Sequence, residues 1–275
     1  LDPNMVYSCG YFENGDEDLA TAQIKKIDHI LTKIKVRPGD RLLDIGCGWG
    51  ALAIRAAEKF GASVVGITLS KNQYELARQR VKEKGLEDKI DIRIQDYRDV
   101  TGKFDRITSV GMFEHVGLKH LVDYFKIIHN LLDDDGICMN HGITSCDPES
   151  GETPFGGGEF IEKYVFPHGE LPHIGLVLKD MQEAGLEPMD IENLRHHYAK
   201  TCAIWAENFE EKTPAIKQLM KNVTGSGEST WPDALTHSRS IVSPFSRSSA
   251  SNPDVHPRFC RCHGIICMKR KTDQV

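Results

Sequence analysis

The chain lacks any apolar run of about 18 residues, the length that a membrane-spanning helix needs. Its first residues, LDPNMVYSC, lack the basic start and the apolar core of a secretory signal peptide. Its net charge of −6 is the opposite of the positive surplus carried by most nucleic-acid-binding proteins. The sequence therefore predicts a cytoplasmic protein whose main partner is not nucleic acid.

Cysteines at metal-binding spacing are also scarce. Five of the eight cysteines are isolated from one another, which is typical of reduced thiols in a cytoplasmic protein. The other three stand in FCRCHGIIC, which could be interpreted as a metal-binding tract. Because its surroundings have the composition of a disordered segment, we predict no metal site there.

Predicted strands and helices alternate through the first half of the chain. The five predicted strands are RLLDIG, SVVGITL, KIDIRIQD, FDRITSVG and GICMNHGIT. Helices are predicted at 21–35, where Ile24, Ile27, Ile30, Leu31 and Ile34 share one face, and between successive strands, with Ser70 as an N-cap. This alternation predicts an α/β fold with a mostly parallel sheet and helices on both faces. Ligands bind at the carboxyl edge of such sheets.

The remaining chain divides into regions of different character. Residues 21–221 form the predicted domain, with a glycine-rich insertion at 144–175 on the expected substrate side and then a return to the sheet. From residue 222 the sequence is rich in Ser, Pro, Asn and Gly and has no sustained 3.6 or 2.0 period. We therefore expect 222–275 to be a disordered tail.

The glycine-rich turn LLDIGCGWG, residues 42–50, joins a predicted buried strand to a helix. Gly46 and Gly48 allow a tight turn and the close approach of a ligand, and Gly50 allows close helix packing. The turn is neither the G-x-G-x-x-G of dinucleotide binders nor a phosphate loop. Asp44 suits the amino group of an amino-acid moiety, or it orders the turn. The pattern resembles the motif of class I methyltransferases that bind S-adenosylmethionine.

Two later loops support a nucleoside site at the same edge. TLSKNQ, residues 68–73, ends the second strand where ribose-contacting groups are expected. IQDYRDV ends the third strand, with Asp96 placed for the adenine amine and Tyr97 for stacking. Three loops with ligand-binding residue types follow successive strands. We therefore predict that they bind one nucleoside together.

A family resemblance extends over most of the chain. The segments YSCGYF, LLDIGCGWG, GITLSKNQ, IQDYRDV, GMFEHVG, FPHGELP and HHYAKT together resemble the cyclopropane-fatty-acyl-phospholipid synthase family, which includes the mycolic-acid cyclopropane synthases. The resemblance covers residues 1 to about 215. It implies a Rossmann-like class I methyltransferase fold with a seven-stranded sheet, S-adenosylmethionine as the donor, and a bicarbonate ion beside the reacting carbon.

The same resemblance implies roles for individual residues. Residues 1–20 would form a lid segment, in which Tyr7 and Ser8 close over the donor. The bicarbonate cage, and so the predicted catalytic set, would be Cys9 through its backbone, Glu114, His141, Ile143 and Tyr198. The predicted donor-binding set is Tyr7, Ser8, Asp44, Gly46, Cys47, Gly48, Gly50, Thr68, Leu69, Ser70, Gln73, Asp96 and Tyr97.

The implied reaction makes demands that these residue types can meet. An alkene is a poor nucleophile, so the methyl group must be held in line with water excluded. Methyl transfer leaves a carbocation, which aromatic ring faces stabilise, and a base must then remove one proton before the ring closes. Bicarbonate is a weakly nucleophilic base, and Glu114 either orients His141 or accepts the bicarbonate O–H, since a bare carboxylate would repel the anion.

We therefore predict an enzyme that converts double bonds in the acyl chains of unsaturated phospholipids to cyclopropane rings, with transient membrane-surface contact. Three alternatives stay open. They are an amine methyltransferase of the same fold, a methyl-branching lipid enzyme, and a truncated, inactive homologue that binds the donor. The last arises because relatives continue after HHYAKT with helices that wall the acyl pocket, whereas this tail is out of register with them.

Overall fold

The computed structural model of the protein describes residues 1–145, 170–224 and 261–270. Within these ranges the helices are α1 Leu19–Lys33, α2 Ala51–Phe60, α3 Lys71–Glu83, α4 Leu121–Leu131, α5 Ile174–Glu183 and α6 Arg195–Thr224. The strands are β1 Arg41–Ile45, β2 Ser63–Thr68, β3 Ile90–Ile94, β4 Phe104–Val110, β5 Leu132–Ser145, β6 Leu186–Asn193 and β7 Arg261–Arg270. Most of the insertion predicted at 144–175, including a helix predicted over FIEKYVF, lies outside the described residues.

The strands form one seven-stranded sheet in the order β3-β2-β1-β4-β5-β7-β6. The five strands from β3 to β5 are parallel, and β7 runs antiparallel to both of its neighbours. Helices cover both faces, so the predicted α/β architecture is confirmed. Strand order reverses between β1 and β4, which makes the carboxyl ends of these two strands the place where a ligand is expected.

Local sequence signals set the ends of the helices. Asp18 caps α1 by accepting a hydrogen bond from the Thr21 amide at 2.7 Å. Ser70 caps α3 in the same way, as the sequence predicts. Gly50 lets α3 approach closely, because a Cβ there would lie 3.2 Å from Ala77 Cβ. In the part of the chain that the structure describes, no helix has the length and apolar character needed to cross a membrane.

The inward face of α1 differs in part from the predicted face. Ile27 and Ile30 are fully buried, as expected, but Ile24 is only half-buried. Gln23 and Lys26 are buried instead. Two long polar side chains therefore point into the molecule, which is expected only where they have polar partners.

The tail prediction is wrong for two segments. Residues 222–224 continue helix α6, and β7 occupies an interior position in the sheet, where it pairs with β5 from Ile137 to Ser145 and with β6. Side chains of β7 alternate between two hydrophobic clusters: Ile265 and Cys267 lie in one, Ile266 and Met268 in the other. A strand buried on both faces appears as a continuous apolar run without a 2.0 period, which is why GIICM gave no strand signal.

Candidate active site

The glycine turn lies at the switch point of the sheet. Gly46 and Gly48 have φ angles of 78° and 53°, a conformation that favours glycine. The amides of Gly46 and Cys47 both donate to the Ile67 carbonyl, at 3.0 and 2.9 Å. A Cβ on Gly46 would lie 3.3 Å from the side chain of Met112, in the loop after β4. The turn therefore joins the ends of β1, β2 and β4.

Asp44 supplies a buried negative charge under this turn. Its Oδ1 accepts a hydrogen bond from the Thr108 hydroxyl at 2.8 Å, and the side chain is almost fully buried. Burial raises the pKa of Asp44 to about 6, while the Thr108 hydrogen bond and the nearby Lys26 charge oppose that rise. The carboxylate is therefore mostly ionised at neutral pH, which suits a cationic amino-acid moiety.

The loop after β2 combines a polar pair with an exposed apolar side chain. The Thr68 hydroxyl donates to Gln73 Oε1 at 2.6 Å and accepts from the Ser70 amide at 3.1 Å. Leu69, which lies between Thr68 and Ser70 in the chain, is 73% exposed. An exposed leucine held in a rigid loop offers an apolar surface to the flat face of a nucleoside.

Asp96 and Tyr97, after β3, each have protein partners. The Asp96 carboxylate accepts hydrogen bonds from the Arg98 amide at 2.9 Å and the Arg98 guanidinium at 2.7 Å, and the guanidinium lowers its pKa. Tyr97 meets Tyr124 edge-on, with ring centroids 5.4 Å apart. The Asp96 carboxylate is thus held by Arg98 at the end of β3.

The lid segment lies between α1 and α6. The Ser8 carbonyl accepts a hydrogen bond from Gln23 Nε2 at 2.7 Å, and the Ser8 hydroxyl accepts one from Lys26 Nζ at 2.8 Å. On the other side, the Gly10 amide donates to Thr201 Oγ1 at 2.9 Å. The ring of Tyr7, 58% exposed, stacks on Trp205 of α6 at 5.2 Å.

A stack of three rings holds the next part of the lid segment. The Tyr11 ring lies between His29 of α1 and His197 of α6, with centroids 4.4 and 4.6 Å apart. His197 Nδ1 accepts a hydrogen bond from the Phe12 amide at 3.0 Å. We predicted no role for His197 from the sequence. In the structure it joins the lid segment to α6 through this hydrogen bond and the ring stack.

Glu114 is buried in the short turn after β4. Its Oε1 accepts a hydrogen bond from the Ile143 amide at 2.7 Å, whereas its Oε2 has no hydrogen-bond partner among the described residues. Burial raises the pKa of Glu114 to about 7. Gly142 makes this approach possible, because a Cβ there would lie 2.0 Å from Phe113 Cε1. Two residues predicted for the bicarbonate cage, Glu114 and Ile143, are therefore hydrogen-bonded to each other.

Cys9 and Tyr198 meet where the lid segment crosses the start of α6. Cys9 is fully buried and burial raises its pKa to about 12, so its thiol stays protonated and is no nucleophile. Burial also raises the pKa of Tyr198, whose hydroxyl is in hydrogen-bonding contact with Cys202 and near Tyr7 and Cys9. A protonated phenol at this place is a hydrogen-bond donor.

Strand β5 links the predicted catalytic residues. Met139, His141 and Ile143 share one face of β5, because side chains alternate along a strand. Met139 and Cys9 belong to the same hydrophobic cluster, and His141 is fully buried. The structure thus places Glu114 against Ile143, and it brings Cys9, Met139 and Tyr198 to one hydrophobic cluster, with His141 on the same face of β5 as Met139.

Several residues of this region were not predicted from the sequence. They are Gln23, Lys26, Thr108, His197 and Thr201. One signal was present: Gln23 and Lys26 stand three residues apart and continue the stripe of Ile27 and Ile30, so polar side chains occupy core positions of an amphipathic helix. The others depend on contacts between distant parts of the chain.

Comparison with known proteins gives consistent matches. A family model described as mycolic acid cyclopropane synthetase matches residues 1–241. A Pseudomonas putida protein named probable fatty acid methyltransferase is 51% identical over 226 residues, 82% of this chain and 57% of that protein. The cyclopropane-fatty-acyl-phospholipid synthase of Escherichia coli K12 is 40% identical over 216 residues, 78% of this chain and 54% of that enzyme. The chain thus spans about half the length of these two relatives.

A solved structure shares the fold. The crystal structure of a mycolic acid cyclopropane synthase complexed with SAH and CTAB has a TM-score of 0.81 and 32% identity to this chain. The alignment covers 98% of this chain and 92% of that one. The seven-stranded fold described above is therefore that of a class I S-adenosylmethionine-dependent methyltransferase.

Proposed function

Because this chain belongs to the mycolic acid cyclopropane synthetase family, we propose that it converts double bonds in unsaturated phospholipid acyl chains to cyclopropane rings. The observation that carries the proposal is the Glu114 carboxyl group, buried beside the Ile143 amide with one oxygen unpartnered within the described ranges. Such a group suits an anion that must be held in a water-poor cavity. The name of the Escherichia coli relative, a cyclopropane-fatty-acyl-phospholipid synthase, supports the choice of substrate.

The residues of the glycine turn fit S-adenosylmethionine, which when bound supplies an activated methyl group on a sulfonium. Gly46 and Gly48 would bring the backbone close to the amino-acid part of the donor, and Asp44 would face its positive charge. Leu69 and Tyr97 would contact the nucleoside, and Ser8 would close over it from the lid segment. The exposed Leu69 and the left-handed glycines are the features that support this fit.

Bicarbonate would bind at the end of β5, beside Glu114 and His141, with Tyr198 contributing from α6. With a pKa near 7, Glu114 is largely protonated in slightly acidic solution and partly so at neutral pH. The protonated acid does not repel an anion and can donate a hydrogen bond through Oε2, so the raised pKa supports the role of bicarbonate as base. Tyr198, which burial keeps protonated, would donate a second hydrogen bond.

Aromatic side chains at the lid segment suit the acyl chain and the positive charge that forms on it. Tyr7 and Trp205 stack, and Tyr198 meets Trp205 edge-on at 6.4 Å. Ring faces stabilise a desolvated cation by about 2 kcal/mol without capturing it. The long-chain alkylammonium CTAB in the related crystal structure supports a site for a long alkyl chain and a nearby positive charge.

The decisive experiment uses the purified chain, vesicles of mono-unsaturated phospholipid, methyl-labelled S-adenosylmethionine and bicarbonate, followed by fatty-acid analysis. We expect labelled cyclopropane fatty acids and a rate that falls when dissolved carbonate is removed. A methylated but ring-free acyl chain would favour the second candidate, a methyl-branching fatty acid methyltransferase, which the name of the Pseudomonas putida relative supports. Label found only on an added amine would contradict both.

Tyr198→Phe removes one hydroxyl and tests the anion site. We expect kcat to fall about 100-fold, the usual scale for losing a preorganised donor, and the bicarbonate requirement to rise. SAH affinity should change less than twofold, measured by calorimetry. Tyr74→Phe is the control, since that tyrosine lies on α3 with its hydroxyl bound to Arg78, and its kcat should match wild type. A Tyr198→Phe enzyme with normal bicarbonate dependence would contradict the assigned role.

A further inference from the structure

Lys26 is a buried cation whose side chain reaches the lid segment. It is 2% exposed, and its Nζ donates to the Ser8 hydroxyl at 2.8 Å. Burying an ammonium is unfavourable unless the charge is paired and hydrogen-bonded. An apolar residue would be less costly to bury at this position of α1. The lysine is therefore expected to have a specific role.

The groups that face Lys26 come from the two elements that it joins. Asp44 belongs to β1, and Asp2 and Cys9 to the lid segment; all three interact with its charge. Because the Cys9 thiol stays protonated, the charges that balance the ammonium are the two carboxylates. Asp2 in turn accepts hydrogen bonds from the amides of Asn4 and Val6, so it organises the first residues of the same segment.

We propose that Lys26 is a positioning residue that ties the lid segment, through Ser8, to helix α1 and thereby sets the affinity for the donor. The inference rests on the donor site of the proposed function. Gln23, one turn earlier in α1, holds the Ser8 carbonyl at 2.7 Å, so α1 fixes Ser8 at both its backbone and its side chain. Without Lys26, the segment would keep its contacts to α6 and the Gln23 hydrogen bond but lose its charged hydrogen bond to α1.

The link depends on pH. Burial lowers the pKa of Lys26 to about 8, although Cys9, Asp44 and Asp2 oppose this. Above that pH the amine is neutral, and its hydrogen bond to Ser8 loses its charge assistance. Donor affinity should therefore weaken as pH rises from 7 to 9.5, a range in which Asp44 is already ionised.

The test is Lys26→Met, with Lys59→Met as a matched control, because Lys59 is a half-exposed lysine on α2 that pairs with Asp28. Calorimetry with SAH should give a Kd about tenfold or more above wild type for Lys26→Met, the scale expected for losing a hydrogen bond to a charged group, and no change for Lys59→Met. Amide hydrogen exchange in residues 6–12 of the ligand-free protein should quicken only in Lys26→Met.

The pH profile separates this role from general destabilisation. The α-amino group of SAH also titrates at alkaline pH, and Lys26→Met retains that titration, so the difference between the two profiles isolates Lys26. Should Lys26→Met fail to fold, Lys26→Gln keeps a hydrogen-bond donor but removes the charge, and it should weaken SAH binding several-fold and lose the Lys26 part of the pH profile. Wild-type affinity and pH profile in the variants would overturn the inference, whatever lipid product is found. Weaker binding in a protein that makes no cyclopropane would overturn the proposed function alone.

Discussion

Glu114→Gln will lose nearly all turnover and yet, at pH 8, unfold less readily than wild type. The loss of activity follows because a primary amide can still donate a hydrogen bond to bicarbonate but cannot take up the proton that bicarbonate removes from the substrate, and groups that transfer protons contribute roughly 100-fold or more to rate. SAH affinity should stay within twofold, since Glu114 lies beside Ile143 rather than beside the glycine turn. Single-turnover kinetics and calorimetry measure the two effects separately.

The gain in stability follows from the raised pKa of Glu114. The folded protein holds this proton up to about pH 7, while a carboxyl in the unfolded chain releases it near 4.5. Unfolding therefore releases a proton between these values, and the contribution of Glu114 to stability falls as pH rises through that window. At 1.36 kcal/mol per pH unit, the penalty above pH 7 is roughly 3 kcal/mol, which glutamine avoids.

Denaturant unfolding at pH 4.5 and pH 8 checks the sign. The difference between Glu114→Gln and wild type should be near zero at the lower pH and reach its full value at the higher. Glu170→Gln is the control, because Glu170 is an exposed carboxylate that accepts a hydrogen bond from the nearby Leu118 amide. An equal difference at both pH values, or an active Glu114→Gln enzyme, would contradict the proposed environment of this residue.

Much of the parallel half of the fold could be predicted from local sequence. The strands around Asp44 and Thr68, the Ser70 cap and the glycine turn depend on neighbours close in sequence, and each lies where the pattern indicates. The loops predicted to bind the donor lie at one edge of the sheet, because parallel strands put their following loops there. A short motif and the order of the strands were enough to predict that placement.

The remainder depended on contacts between distant residues, which single-sequence patterns do not carry. His197 binds the Phe12 amide across 185 positions, and Lys26 finds its partners only when the lid segment folds back over α1. Glu114 accepts a hydrogen bond from the Ile143 amide, 29 positions away, a contact that the sequence did not indicate. In each case the sequence shows the type of residue but not the distant residue that it contacts.

Removing strand β7 should have the largest effect on stability. We expect a chain that ends at residue 260 not to fold. The β7 side chains Ile265, Ile266, Cys267 and Met268 are buried, and burial of such side chains stabilises by about 1.5–3 kcal/mol each. Their sum, roughly 6–12 kcal/mol, is similar to the whole stability of a typical domain. The truncation would also separate β6 from β5 and leave both without a partner on that side. Circular dichroism and thermal unfolding of the soluble fraction measure the outcome.

Point variants in β7 test the contribution of its buried side chains while the strand itself is kept. Ile266→Ala should lower the free energy of unfolding by about 2–5 kcal/mol, since Ile266 is enclosed by the cluster that also holds Phe125 and Val177. Arg270→Ala, in the same strand, removes only a surface ion pair with Asp134 and should change stability by less than about 1 kcal/mol. If the chain ending at 260 unfolded at the wild-type temperature, or if Ile266→Ala were as mild as Arg270→Ala, β7 would not be part of the folded sheet. Its pairing with β5 and β6 and the burial of Ile265, Ile266, Cys267 and Met268 on both faces lead us to expect the opposite result.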